Sequence, residues 1–247
     1  MKTSGNTILI TGGTSGIGHG LAQRFQAAGN TVIVAGRRQD LLGQIVAENE
    51  GIDSVVLDVA DPDSIAAAYE TVTHKYPELD VLINMAGVMQ VENLLNPSFL
   101  ATSESTITTN LLGTIRMVSA FVPFLAAQRN AVIMNVSSGL AFVPLPITPT
   151  YNATKAAIHS FTESLRVQLA DTSIQVLELI PPAVRTTLLG QQDDERSMPL
   201  DEYLTEVMTI LATQPEATQI CVDRVKPLRF AAVDGNYDRM LTALSGH

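Results

Sequence analysis

Short runs of β-branched and other apolar residues alternate along the chain with longer stretches whose apolar positions recur at helical spacing. Thr7 to Thr11 (TILIT), Thr31 to Ala35 (TVIVA), Ser54 to Asp58 (SVVLD), Asp80 to Asn84 (DVLIN), Ala131 to Val136 (AVIMNV) and Ser173 to Ile180 (SIQVLELI) read as strands. Gly16 to Ala28 reads as a helix, with Ile17, Leu21 and Phe25 at steps of four. Asp40 to Glu48 is a second helix. Asp61 to His74 is a third, opened by an Asp-Pro pair that supplies a cap and a first-turn proline. Ser103 to Arg129 and Asn152 to Ala170 are the two longest. Strands apolar on both faces and separated by helices imply a parallel sheet covered on both sides, an α/β fold in one domain over 1–247. In the C-terminal fifth, Gln191 to Arg196 is a polar loop, Leu200 to Ala212 an amphipathic helix, Thr218 to Val222 a last strand and Tyr237 to Leu244 a short helix.

Composition narrows the class. The 247 residues are 46% apolar and 16% charged, which excludes disorder. A chain of that size buries about 70–75% of its unfolded surface and needs no staple. Fifteen basic against 25 acidic residues leave a net charge of −10, which repels nucleic-acid backbones. Cys221 is the only cysteine, so no internal disulfide forms, in keeping with a reducing cytoplasm. The first apolar run, Ile8 to Ile10, is too short for a secretory core. Met117 to Ala127 contains Pro123 and falls short of the roughly 18–20 residues of a membrane span. A cytoplasmic protein with no membrane or nucleic-acid partner is expected.

Two motifs carry chemistry. Thr11-Gly12-Gly13-Thr14-Ser15-Gly16-Ile17-Gly18 links the first strand to the first helix. Gly12, Gly16 and Gly18 lack Cβ, so the chain can turn sharply and bring N–H groups and a positive helix end to a pyrophosphate. A plain glycine-rich turn is the alternative, and placement after the first strand favours the nucleotide. Tyr151 and Lys155 lie four apart on a helix face. A lysine ammonium lowers a tyrosine pKa, so the pair can move a proton to or from a carbonyl oxygen. By themselves they would be a surface pair.

T-G-x-x-x-G-x-G at 11–18, Asn84-Met85-Ala86-Gly87 after the fourth strand and Tyr151-x-x-x-Lys155 together resemble the short-chain dehydrogenase/reductase family, over about residues 6 to 190. The resemblance implies a Rossmann-type doubly wound sheet and hydride transfer between nicotinamide and a carbonyl carbon. It implies that Ser138, rather than its neighbour Ser137, hydrogen-bonds the substrate oxygen. It makes Asn110 the fourth catalytic member, orienting a water beside Lys155, although a buried structural bond would equally explain a mid-helix asparagine. Cofactor contacts implied are Gly12, Thr14, Ser15, Gly16, Ile17 and Gly18 in the loop and Asp58 and Val59 beside the adenine. Asn84, Ala86 and Gly87 would lie on the adenine-ribose side, with Met85 where a second asparagine is usual. Tyr151 and Lys155 would reach the nicotinamide ribose, and the Val184 N–H and Thr186 hydroxyl the carboxamide. Pro181-Pro182 stands where the family has Pro-Gly, a variant that resembles a bacterial DltE-like branch.

After the second strand the slot for an acid that would hold a ribose 2′-hydroxyl is Gly36, followed by Arg37 and Arg38. Arg37 can grip a 2′-phosphate, so NADP(H) is expected over NAD(H). Solvated surface arginines are the alternative. Gly139 to Thr150 is apolar and proline-rich, and 186–215 would cover the substrate from the other side. No cationic clamp is present unless Arg185 turns inward. A neutral, fairly hydrophobic ketone, aldehyde or secondary alcohol fits. His19, His74, His159 and His247 have no zinc-ligand spacing, so no metal is expected. Both long helices are apolar on more than one face. The family pairs them across a two-fold axis, so a homotetramer or homodimer is expected. A cofactor-retaining isomerase or lyase, and a non-catalytic NADP sensor, are the competing functions.

Overall fold

The computed structural model describes residues 1–246; His247 lies outside the described residues. Seven strands form one sheet in the order β3-β2-β1-β4-β5-β6-β7, and every pairing is parallel. They are β1 Thr7–Thr11, β2 Thr31–Gly36, β3 Ile52–Val56, β4 Val81–Asn84, β5 Val132–Val136, β6 Gln175–Leu179 and β7 Gln219–Ile220. The helices are α1 Gly16–Ala27, α2 Gln39–Glu48, α3 Pro62–Lys75, α4 Phe99–Thr106, α5 Gly113–Ala126, α6 Pro149–Gln168, α7 Leu200–Thr213, α8 Lys226–Arg229 and α9 Tyr237–Ser245. This is the doubly wound Rossmann arrangement. Strand order reverses at β1, which pairs with both β2 and β4, and ligands bind at the carboxyl edge beside such a reversal.

Alternation along each strand splits the core in two. Ile8 and Ile10 pack with Leu21 and Phe25 of α1 and with Tyr203 and Val207 of α7. Leu9 packs on the other face with Met117, Phe121 and Leu125 of α5. Residues Phe99–Ala126 are long and apolar enough to cross a membrane, but the α5 stripe of Met117, Phe121 and Leu125 is fully buried against the sheet.

Several expected bounds shift. β3 begins at Ile52, because the Gly51 turn (φ +87°) sets Ile52 beside Val32, and it ends before Asp58. α6 starts at Pro149, a residue preorganised for the first helical turn. The helix expected over 103–129 starts at Phe99, ends at Ala126 and contains a π-helical turn at Ile107–Leu112. β6 and β7 are shorter than expected, and α8 has no periodic signal. Part of the segment expected to cover the substrate belongs to the core instead. In α7, Leu204, Val207 and Leu211 are buried, and a Cβ on Gly20 of α1 would meet Leu204 Cδ1 at 2.4 Å.

Candidate active site

A cleft of about 480 Å³ opens at the carboxyl edge beside β1. The glycine loop forms its floor, with Gly12, Thr14, Ser15, Gly16, Ile17 and Gly18 all lining it. Gly12 (φ +66°) can be nothing else, since a Cβ there would lie 2.8 Å from the Ala86 Cα. Thr11 holds the opposite turn: its Oγ1 accepts from the Met85 and Ala86 N–H groups at 3.0 and 3.1 Å. The Ser15 side chain does not cap α1, so the free N–H groups at that helix end face the cleft. An uncapped helix end above a glycine cradle fits a dinucleotide pyrophosphate.

Arg37, Arg38, Asp58 and Val59 line the far end of the cleft, and Ala86, Gly87 and Thr186 its sides. The Arg37 side chain is 67% exposed, with Nη1 4.0 Å from Asp58 Oδ2. Asp58 is fixed by accepting from the Ala60 N–H at 2.9 Å. Gly36 is needed by the loop, because a Cβ there would fall 2.7 Å from Thr14 Cγ2. Asn84 departs from expectation. Its side chain is buried in the sheet and donates to Asn135 Oδ1 at 2.9 Å instead of lining the cleft. Val184 lies behind the cleft wall in a parallel bridge with Met198. The bonds of that bridge run through Ala183 and Arg185, which leaves the Val184 N–H directed away from Met198.

The four candidate catalytic residues converge beside the cleft. Ser138, Tyr151, Asn110 and Lys155 are all buried. Ser138 caps the short turn Gly139–Ala141, its Oγ accepting from the Leu140 N–H at 3.1 Å. Burial pushes the Tyr151 phenol up to about 12, and the nearby Ser138 hydroxyl offsets only part of that rise. Lys155 does not lower it as expected. Its Nζ lies 5.6 Å from the Tyr151 ring centre and donates to the Val136 carbonyl at 2.7 Å. Burial pulls the Lys155 ammonium itself down to about 8. Tyr151 is therefore a neutral phenol in the ligand-free protein.

Asn110 sits in the π-helical turn and clamps the chain after β4. Its Oδ1 accepts from the Val88 N–H at 2.8 Å, and its Nδ2 donates to the Val88 carbonyl at 2.9 Å. A Cβ on Gly87 would stand 3.3 Å from Asn110 Oδ1 and 3.8 Å from Lys155 Nζ, so both groups flank Gly87. Ser137 is excluded as the rival serine: it is 1% exposed and donates to Glu178 Oε1 at 2.5 Å. Arg185 does not turn inward, because its guanidinium donates to the carbonyls of Asp194, Glu195 and Ser197.

Two buried carboxylates beside the site escaped the sequence reading. Glu92 accepts from Ser103 Oγ at 2.6 Å and from the Thr150 N–H and Oγ1 at 2.8 Å, tying down the start of α6 one residue before Tyr151. Burial pushes the Glu92 carboxyl up, but these bonds outweigh it and hold it below the usual range. Glu178 is the fourth of the five residues of β6. An isolated acid in an apolar run was the only available signal for it.

The family model for short chain dehydrogenases matches residues 6–197. The oxidoreductase DltE of Bacillus subtilis is 37% identical over 99% of this chain and 98% of its own length. The 3-oxoacyl-[acyl-carrier-protein] reductase FabG of Thermotoga maritima is 34% identical over 76% of this chain and 78% of its own. Among solved structures, a 3-ketoacyl-(acyl-carrier-protein) reductase of Brucella melitensis complexed with NADH superposes with a TM-score of 0.78 at 27% identity, covering 87% of this chain and 93% of its own. A short chain dehydrogenase of Burkholderia cenocepacia, in complex with NADP, reaches a TM-score of 0.82 at 24% identity, with 98% of each chain covered.

Proposed function

The chain belongs to the short-chain dehydrogenase/reductase family, in its DltE-like branch, and we propose that it is an NADP-dependent oxidoreductase acting on a neutral, fairly hydrophobic ketone, aldehyde or secondary alcohol. The observation that carries this reading is the gathering of buried Ser138, Tyr151, Asn110 and Lys155 beside a glycine-floored cleft. The nicotinamide, when bound, supplies or accepts the hydride. Ser138 holds the carbonyl oxygen, and Tyr151 gives that oxygen a proton in reduction or takes it back in oxidation. With the cofactor bound, Lys155 would hold the ribose and the Val184 N–H the carboxamide, while Asn110 keeps the Val88 segment in place.

Arg37 supports the choice of NADP. It stands exposed at the cleft rim, where no acid at position 36 would repel a 2′-phosphate. The engaged guanidinium of Arg185 supports a substrate without a carboxylate or phosphate. The lone Cys221, whose thiol burial pushes up to about 11, suits a reducing cytoplasm. Leu100, Ile107 and Leu112 are exposed along the α4–α5 run, and Val167 on α6, which supports pairing of these helices in a homodimer or homotetramer. Light scattering at micromolar concentration tests the assembly, and a monomer would refute it.

A panel of ketones, aldehydes and secondary alcohols, followed at the NADPH absorbance band with NADH in parallel, tests the activity. Turnover with NADPH exceeding that with NADH is expected. Tight NADPH binding without turnover on any carbonyl would replace the reading with a sensor.

A further inference from the structure

Three consecutive residues at the end of β5 meet groups of α6, β6 and the turn that follows. The Val136 carbonyl accepts from Lys155 Nζ at 2.7 Å. Ser137 Oγ donates to Glu178 Oε1 at 2.5 Å, and the same carboxylate meets His159 Nδ1 at 2.9 and 3.0 Å. Ser138, next in the chain, has its Oγ accepting from the Leu140 N–H at 3.1 Å and lies near enough to the Tyr151 hydroxyl to lower its pKa. Tyr151, Lys155 and His159 are spaced by four, so they form one row along the helix.

Glu178 has no solvent exposure. It is paired in register with Asn135 of β5 and Gln219 of β7, between two neighbouring strands. A carboxylate there is costly unless donors surround it. Three side chains do so: Ser137, His159 and Gln219, whose Nε2 donates at 3.0 Å. With the acid as acceptor, His159 carries its proton on Nδ1. The His159 ring also packs edge-on against Phe142, with centres 4.8 Å apart, and its Nε2 lies 3.7 Å from Glu163. The helix row, the strand acid and the loop aromatic thus share one joint.

We propose that Glu178 and His159 are positioning residues that fix Ser137 and through it hold Ser138 against Tyr151. Backbone bonds already tie Ser137 N–H to Leu179 and Gly139 N–H to Pro181, at 3.0 and 2.9 Å. The Ser137 side chain adds a third tether, between those two and next to the reacting group. A leucine at 178 would pack the sheet without supplying it. The proposed consequence for turnover rests on the oxidoreductase reading above; the geometric part does not.

The test measures Ser137→Ala, His159→Leu and His159→Asn, each with Ser138 intact and with Ser138→Ala. Ser137→Ala and His159→Leu should lower kcat by between about tenfold and a hundredfold, as misplacement of a reacting group does, with KM for NADPH unchanged. His159→Asn places an amide N–H near the Nδ1 position and should recover most of the loss. With Ser138→Ala the same changes should add nothing, because they act through Ser138. Equal fractional losses in both backgrounds would overturn the proposal, as would an unchanged kcat in Ser137→Ala. That variant loses one hydroxyl only and keeps the test open should His159→Leu not fold. If the wild-type protein turns over no substrate in the panel, the functional reading fails. Crystal structures then decide the geometry: an unchanged separation of Ser138 Oγ and the Tyr151 hydroxyl between wild type and Ser137→Ala would overturn the proposal, and a displaced Ser138 would uphold it.

Discussion

The Lys155 ammonium donates to the Val136 carbonyl at 2.7 Å, and both residues are shut away from water. Burial pulls this lysine from 10.5 down to about 8. Between those two values the unfolded chain binds more protons than the folded one, so stability rises with pH across that window. Below pH 8 the full cost of the buried charge is present. A shift of this size corresponds to roughly 3 kcal/mol, less about 1 kcal/mol for the bond to Val136. Lys155→Met should therefore stabilise the ligand-free protein at pH 7. Urea unfolding at pH 7 and at pH 10.5 checks this, with the gain expected to shrink at the higher pH. A less stable variant at pH 7 would contradict it.

Tyr151→Phe keeps the ring and removes the proton that the neutral phenol carries. Turnover should fall by roughly 10²–10⁴, the contribution of general acid–base catalysis. NADPH affinity, read by fluorescence titration, should hardly change. Near-normal turnover would sink the role given to Tyr151.

Arg37→Ala should weaken NADPH binding by about ten- to a hundredfold, the value of one charge-assisted hydrogen bond. NADH binding should stay as it was, since NADH has no 2′-phosphate. The reciprocal change at Gly36 meets an obstacle in Thr14, whose Cγ2 lies 2.7 Å from where a Cβ would stand. Gly36→Asp should gain NADH affinity only when combined with Thr14→Gly. Calorimetry on the single and double variants separates the two effects. Equal losses of both cofactors in Arg37→Ala would leave the arginine a solvated surface charge.

The Tyr203 hydroxyl is buried in α7 without a hydrogen-bond partner. Burial holds this phenol well above its usual range. Tyr203→Phe removes a desolvated polar group and leaves the ring packing intact. The variant should be at least as stable as the wild type, with a gain of up to about 1–3 kcal/mol. A clear drop in the thermal midpoint would mean that an ordered water satisfies the hydroxyl.

The strands were legible because apolar β-branched runs such as TILIT and TVIVA occupy a sheet covered on both faces. The glycine loop was legible because its spacing is a local steric requirement. What the residues meet across the fold was not. Nothing local tells that Asn84 turns to Asn135, 51 positions away, or that Arg185 closes on carbonyls of the next loop. The surroundings of Lys155 and Tyr151 were hidden for the same reason. Spacing set the two on one helix face, but the Val136 carbonyl claims the ammonium and burial dominates both groups. Glu92 and Glu178 act through donors at 11 to 58 positions' separation, beyond any periodicity.

The turn Ile107–Leu112 amounts to a one-residue insertion that the helix has kept. Residues before and after it lie on two helical lattices whose phases differ by one position, or about 100° of rotation. Asn110 lies inside this turn and faces Val88, while the α5 stripe beyond it faces the sheet. Deleting a single residue at Thr108 would restore one lattice and turn either the core stripe or the asparagine away. The chain's length through this helix is thus as much a part of the site as the identity of the side chains it carries.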